Sequence, residues 1–431
     1  MRRTLCLALY FAAVAVVIAA PPAHRSLGEG VGDVRMIEVS GEGAKYWPRW
    51  RGPSGQGLVA AGAYTDTWSP NVNVWTTSVP GRGNSSPIVW GDRIFLTTAY
   101  GNGNRLSMLA YSRADGKKLW ETFIPQSGVE YAHYKNGFAS ATPVTDGQLV
   151  YASFGRHGLV AFDFNGKIAW QHKFGIIDNY HGPAGSPVLY KDRIFIFQDA
   201  NPAPGQTAFV GAFDKATGKP IWQTPRRESI GWGTAVVINT GERDEVIVSS
   251  QYRVAAYDPD SGRELWTVRG NTEEVIPTPV VGHGLVFASS GRAGPTIAIK
   301  PGGSGDVTST HVAWSSPRGS PFVPSGIVVG DLLYLINDMQ SILTVYEAAT
   351  GKLVYQNRLG TAFREGFSAS PVHVNGKIFL TNDDGQTFVV EAGRTFKLLR
   401  VNELGEQTLA SPALVEGTWY WRTASTLRAI R

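Results

Sequence analysis

From Ser86 to the C-terminus, short apolar runs alternate with polar turns, and they do so in a fixed order. Each unit opens on a small residue and a proline and passes through four segments rich in Val, Ile, Phe and Tyr. It closes on a glycine turn followed by tryptophan. The first unit reads Ser86-Pro87-Ile88-Val89, Asp92-Arg93-Ile94-Phe95-Leu96, Leu109-Ala110-Tyr111 and Asp115-Gly116-Lys117-Lys118-Leu119-Trp120. Period-two alternation broken by Asp-Gly, Asn-Gly or Thr-Gly pairs predicts a four-stranded antiparallel meander.

The closing tryptophans are Trp120, Trp170, Trp222, Trp266 and Trp314, spaced by 50, 52, 44 and 48 residues, and Tyr355 takes that slot in the sixth copy. A seventh copy ends in Phe396-Lys397-Leu398-Leu399. The openings are Ser86-Pro87, Thr142-Pro143, Ser186-Pro187, Thr234-Ala235, Thr278-Pro279, Pro324-Ser325, Ser370-Pro371 and Ser411-Pro412, which makes eight. Four strands repeated every ~45 residues predict propeller blades. The eighth copy stops after three strands, at Thr426-Leu427-Arg428-Ala429-Ile430-Arg431. Its outer strand is expected from Asn73-Val74-Trp75-Thr76-Thr77-Ser78-Val79, an N-terminal clasp that closes the ring and removes free sheet edges. The expected fold is therefore all-β, an eight-bladed β-propeller over residues 65–431.

Composition agrees with this. Of 431 residues, 43% are hydrophobic and 17% charged, and 50 glycines with 25 prolines favour turns over long helices. Met1-Arg2-Arg3, the apolar stretch from Leu5 to Ala20, and Pro21-Pro22-Ala23 read as an export signal over residues 1–23, with an uncleaved anchor as the other reading and the sole source of membrane contact. A periplasmic or secreted location follows. Residues 24–64 read as a flexible tether, over 24–45, and a Trp/Gly-rich lead-in, in which Trp47 and Trp50 with Arg49 and Arg51 either cover a channel mouth or cap the blade flank, packing being the expected role. The single cysteine, Cys6, precedes most of the apolar run and is badly placed for a lipid anchor. Without it, the mature chain has neither disulfides nor thiol chemistry. A net charge of +5, with no long basic run, gives no nucleic-acid signature.

Ala212-Phe213-Asp214-Lys215-Ala216-Thr217-Gly218-Lys219-Pro220-Ile221-Trp222 matches the tryptophan-docking pattern Ala-x-Asp-x-x-Thr-Gly-Lys-x-x-Trp, and Ala256-Tyr257-Asp258 through Ser261-Gly262-Arg263 to Trp266 nearly does. On these motifs the chain resembles the pyrroloquinoline-quinone (PQQ) type propeller repeats. The marks of WD40 and kelch blades do not recur. The resemblance implies that the docking tryptophans wedge between neighbouring blades.

That family holds both quinoprotein dehydrogenases, with PQQ and calcium over the central channel, and non-enzymatic propellers similar to BamB. Trp47-Pro48-Arg49-Trp50-Arg51-Gly52-Pro53-Ser54-Gly55-Gln56-Gly57 and Asn84-Ser85-Ser86-Pro87 are most similar to the BamB-like branch. The resemblance thus implies a binding platform with a protein partner, no cofactor and a monomeric chain. Under the alternative, PQQ with calcium would need an acidic base and Glu, Asn or Asp ligands. Asp338 and Asp383 are the carboxylates available for that, and the adjacent cysteine pair of the alcohol-oxidising branch is missing.

The loops before each innermost strand and between second and third strands share one face, the top. His133, Lys135, Asn136, Arg156, His157, His181, Asp199, Gln251, Arg292, Asp338 and Asp383 fall there and form the candidate binding surface. His133, His157 and His181, in adjacent blades, raise a metal site. No His-Glu-x-x-His spacing accompanies them, and isolated loop histidines are the expected state.

Overall fold

The computed structural model describes residues 34–201, 208–228, 230–291, 294–360 and 366–431; the export-signal reading of residues 1–23 lies outside them. Eight antiparallel sheets form a propeller, each blade running from its innermost to its outermost strand in chain order. Blade 1 consists of Ile88–Trp90, Arg93–Tyr100, Arg105–Ser112 and Lys118–Phe123. The last blade joins Ala413–Val415, Thr418–Arg422 and Thr426–Ile430 to the N-terminal strand Trp75–Ser78, with Trp75 opposite Ala429 and Ser78 opposite Thr426. The expected clasp is present.

Register explains the docking motif. In the first five blades the closing tryptophan lies opposite an alanine, as Trp120 does Ala110 and Trp222 does Ala212, and the ladder shifts register just beyond that pair. The small partner leaves the indole room to reach the next blade. There the ring covers a turn glycine: Trp75 over Gly116, Trp120 over Gly166, Trp170 over Gly218, Trp222 over Gly262 and Trp314 over Gly351. A Cβ on any of these glycines would come within 2.3–2.7 Å of the ring. Each indole N–H also donates to a carbonyl of the same turn, at 2.8–3.1 Å. Trp75 makes this contact across the seam, so the clasp closes the ring through packing as well as through its ladder.

Trp266 departs from the scheme. Its N–H donates to Glu245 Oε2 at 2.8 Å within its own blade. In place of a tight turn, blade 5 sends Gly305–Asp306 to add a parallel strand beside Trp266 and Thr267. Trp266 still packs with Val281, Val286 and Ile297 of blade 5.

The tether reading of residues 24–45 does not hold for the described part of that stretch. Arg35–Met36 pair with the innermost strand of blade 4. Trp47 exchanges backbone hydrogen bonds with Val89 of blade 1, and Pro48 O accepts from Thr145 N of blade 2. Gln56 Oε1 accepts from Val281 N of blade 5 at 2.6 Å, and Gly57 and Val59 bracket His373 of blade 7. Arg51 Nη2 donates to Gly326 O of blade 6 at 2.8 Å. Residues 35–59 thus cross the bottom of the channel and join six blades. Glycines here serve close approach: in the stretch read as tether a Cβ on Gly43 would lie 2.7 Å from Val39 Cγ1, and in the lead-in Gly57, at φ +76°, would put one 2.6 Å from Pro371 O.

Candidate functional site

The eight small residues that open the blades form a closed hydrogen-bonded ring at the channel neck. Ser86 N donates to Thr142 Oγ1, Thr142 N to Ser186 Oγ, and so on through Thr234, Thr278, Ser325, Ser370 and Ser411, whose N returns to Ser86 Oγ. All eight distances lie between 2.9 and 3.2 Å. A hydroxyl on a small side chain is what satisfies a neighbour's N–H without filling the channel.

Above this ring lies a mouth pocket of about 280 Å³. Trp50, from the bottom segment, lines it together with seven of the eight ring residues. Trp232, Ile276, Phe322 and Leu409 give it apolar walls, and His133, Lys135, Asn136 and His181 stand at its rim.

The loop between blades 1 and 2 reaches over this mouth. Asn84 Nδ2 holds Lys135 O and Asn136 O at 2.8 and 2.6 Å, and Asn136 Nδ2 donates to His181 O at 2.8 Å. The His133 and His181 rings sit 4.8 Å apart, with Trp232 5.3 Å from His181. Lys135 Nζ crosses to blade 7 and pairs with Asp383 Oδ2 at 2.8 Å. Asp383 also accepts from Ser368 Oγ at 3.1 Å, and burial, opposed by Lys135, pushes its carboxyl up to about 7. Asp338 Oδ1 accepts from Phe322 N at 2.7 Å and from Val323 N at 3.3 Å, and burial raises its carboxyl as well.

Of the residues proposed from sequence, His133, Asn136 and His181 line the pocket with Lys135, and Asp338 and Asp383 support it from behind. The others do not join them. His157, buried in the turn Gly155–His157, is held down to about 4 by burial, and Arg156 next to it donates its backbone N–H to Glu130. Asp199 forms a buried ion pair with Arg226 at 2.9 Å. Gln251 is buried in its turn, where its N–H donates to Ile230 O. Arg292 lies outside the described residues. His133 and His181 meet, His157 is buried in its own turn, and no group of three His, Cys, Asp or Glu able to hold a metal occurs among the described residues. Sequence reasoning offered Trp50 at a channel mouth as one of two readings and missed Trp232 and Phe322 as pocket walls. The signal for the ring was present in the Ser or Thr at each opening.

The same face carries a second feature. Val129, Tyr131, Tyr134, Ile176, Tyr252 and Met339 are large exposed apolar side chains on top loops, with Tyr134 at 67% and Met339 at 61% exposure. The remaining exposed large apolar residues among those described lie on outer strands or, as Val72 and Val74 do, in the segment that enters the clasp strand at the bottom, where Val74 lines a cleft with Gly91 and Glu416.

These features define an eight-bladed propeller whose channel is crossed by its own N-terminal segment at one end and opens into an apolar, hydroxyl-floored pocket at the other. The chain belongs to the family described as outer membrane protein assembly factor BamB, whose sequence profile matches residues 53–201 and 206–421. It is 22% identical over 391 residues to the tetrathionate hydrolase of Acidithiobacillus ferrooxidans, covering 83% of this chain and 67% of that one. It is 24% identical over 370 residues to the BamB of Burkholderia pseudomallei, covering 80% and 84%. A europium-containing methanol dehydrogenase shares the fold at a TM-score of 0.66 and 12% identity, covering 87% of this chain and 89% of that one.

Proposed function

We propose that this chain is an exported, non-enzymatic platform that docks a protein partner on its mouth face. The observation that carries this reading is the concentration of exposed large apolar residues on top loops, Tyr131, Tyr134, Tyr252 and Met339 among them, against Val72 and Val74 beside the clasp at the bottom among the described residues. Exposed aromatic and methionine side chains on one face are the composition of a binding surface. The docked tryptophans and the hydroxyl ring make that face a rigid base, which lowers the ordering cost of association. Membership in a family described by an assembly factor, and the export-signal reading of residues 1–23, support the same view.

The residues at the mouth do not fit PQQ with calcium. Calcium takes six to eight oxygens, among them free carboxylates. Here Asp338 is engaged by two backbone N–H groups and Asp383 by Lys135 and Ser368. The one cation among the residues lining the pocket, Lys135, is thereby already bound to a carboxylate.

The test is co-purification from the native host with two triple variants. Tyr131→Ser with Tyr134→Ser and Met339→Ser is expected to lose a stoichiometric partner. Leu119→Ser with Ile221→Ser and Leu353→Ser, on outer strands, is expected to keep it. Loss in the second variant and retention in the first would reverse the assignment, and a saturable PQQ titration with turnover would replace it with the enzyme reading.

A further inference from the structure

We infer that the channel neck is a binding site for a compact anionic group, held by the Ser/Thr hydroxyl ring beside the Arg51 guanidinium. The inference rests on Arg51 and the ring and is independent of the docking reading.

Arg51 is 2% exposed. Its Nη2 donates to Gln56 O at 2.7 Å and to Gly326 O at 2.8 Å, while Nε and Nη1 have no partner among the described residues. No carboxylate bonds or pairs with it; its other neighbour is the Trp50 ring, 5.8 Å from Cζ. Burial with no opposing charge lowers its pKa only to about 9, so the group stays cationic at neutral pH. A buried, uncompensated guanidinium is costly, and a counterion near it is the direct relief.

The ring supplies the contact atoms. Gly326 and Pro371, whose carbonyls face Arg51 Nη2, directly follow the ring members Ser325 and Ser370, so the guanidinium lies at the blade 6 and 7 side of the ring. Each ring oxygen already accepts a neighbour's N–H, and no ring hydroxyl donates to a protein acceptor among the described residues. Hydroxyl protons are left over on a ring that seven members present to the mouth pocket. Spare hydroxyl lone pairs could also face a cation, but the buried charge of Arg51 beside Ser325 and Ser370 opposes that and favours an anion. The carboxyls beside the mouth are engaged elsewhere: Asp338 by backbone N–H groups, Asp383 by Lys135, and Glu274 by Tyr180 and His181.

The anionic group is either a free inorganic ion or the head of a larger ligand whose body packs on Trp50, Trp232 and Phe322. Thermal unfolding of the purified chain at constant ionic strength, with bromide replacing gluconate, tests the site. A saturable rise in midpoint of about 3 °C at a hundredfold excess over the dissociation constant is expected for the native chain. Arg51→Met is expected to lose that increment, and Thr142→Val, which removes one donor, to weaken bromide about tenfold. Should Arg51→Met not fold, bromide-grown crystals of the native chain decide: an anomalous peak within hydrogen-bond reach of the ring is expected. An unsaturable response, an increment surviving in Arg51→Met, or an empty neck in bromide would overturn the site. Benzoate binding at least tenfold tighter than bromide assigns the head-group source; equal affinities assign the free ion.

Discussion

Gly218→Ala isolates what holds neighbouring blades together. Gly218 sits at φ +70°, and a Cβ there would lie 2.3 Å from Cε3 of Trp170, whose N–H donates to Lys215 O in the same turn. Placing alanine at positive φ costs about 1 kcal/mol. Forcing a methyl group into a packed contact adds about 1–3 kcal/mol, for a total of about 2–4 kcal/mol. Gly330→Ala supplies the reference, because Gly330 has φ +57° and open space around its Cβ position, so it should lose only the backbone cost of about 1 kcal/mol. Urea unfolding followed by tryptophan fluorescence gives both losses from the shift in midpoint. In a Trp170→Leu background, the extra cost of Gly218→Ala should shrink toward that of Gly330→Ala, which makes the coupling a double-mutant cycle. If Gly218→Ala loses no more than Gly330→Ala, or if its loss is unchanged in Trp170→Leu, the indole does not seat on the glycine in the way described.

Three further outcomes are expected. Gln56→Ala should destabilise the chain by about 1–3 kcal/mol in chemical denaturation, because Val281 N–H would be left buried without its acceptor. His373, held down to about 4 from 6.5 by burial, contributes stability that is present above pH 6.5 and is lost as pH falls through 4. His373→Gln should therefore remove up to about 3 kcal/mol of pH dependence in that window, seen as a flatter acid limb of Tm against pH. Asp383 has the opposite sign: with its carboxyl raised to about 7, its contribution is complete below 3.8 and is lost as pH rises through 7. Asp383→Asn should tilt the same Tm curve upward with pH, and a tilt in the same direction as that of His373→Gln would contradict the burial of one of the two groups.

The repeat carried most of the fold in its local chemistry. Period-two alternation, turn glycines and the Ala-to-Trp spacing each have a physical cause that acts within one blade or between neighbours, so Trp75 as the clasp and Trp170 and Trp222 as docking residues were legible. Trp266 was less so, because a strand from blade 5 took over the turn it would have met. The tether reading of 24–45 failed for a related reason: a glycine-rich stretch without period looks flexible when the strand it joins, Val236–Asn239, lies about 200 residues away. The site was legible only in part. Loop position brought His133, Asn136 and His181 to one mouth, whereas His157 and Asp199 turned inward to local partners. Trp50 reaches the pocket from the opposite end of the channel, through a connection that no pattern local to the blades encodes.

The most direct test of the working face is site-specific photo-crosslinking in the native host, with the reactive residue placed singly at Tyr134, Tyr252 and Met339 on the top and at Asp115, Asp192 and Glu416 on the bottom. One adduct of the same mass from all three top positions and none from the bottom is expected. Adducts formed from the bottom positions, with the top positions silent, would contradict a partner seated over the mouth.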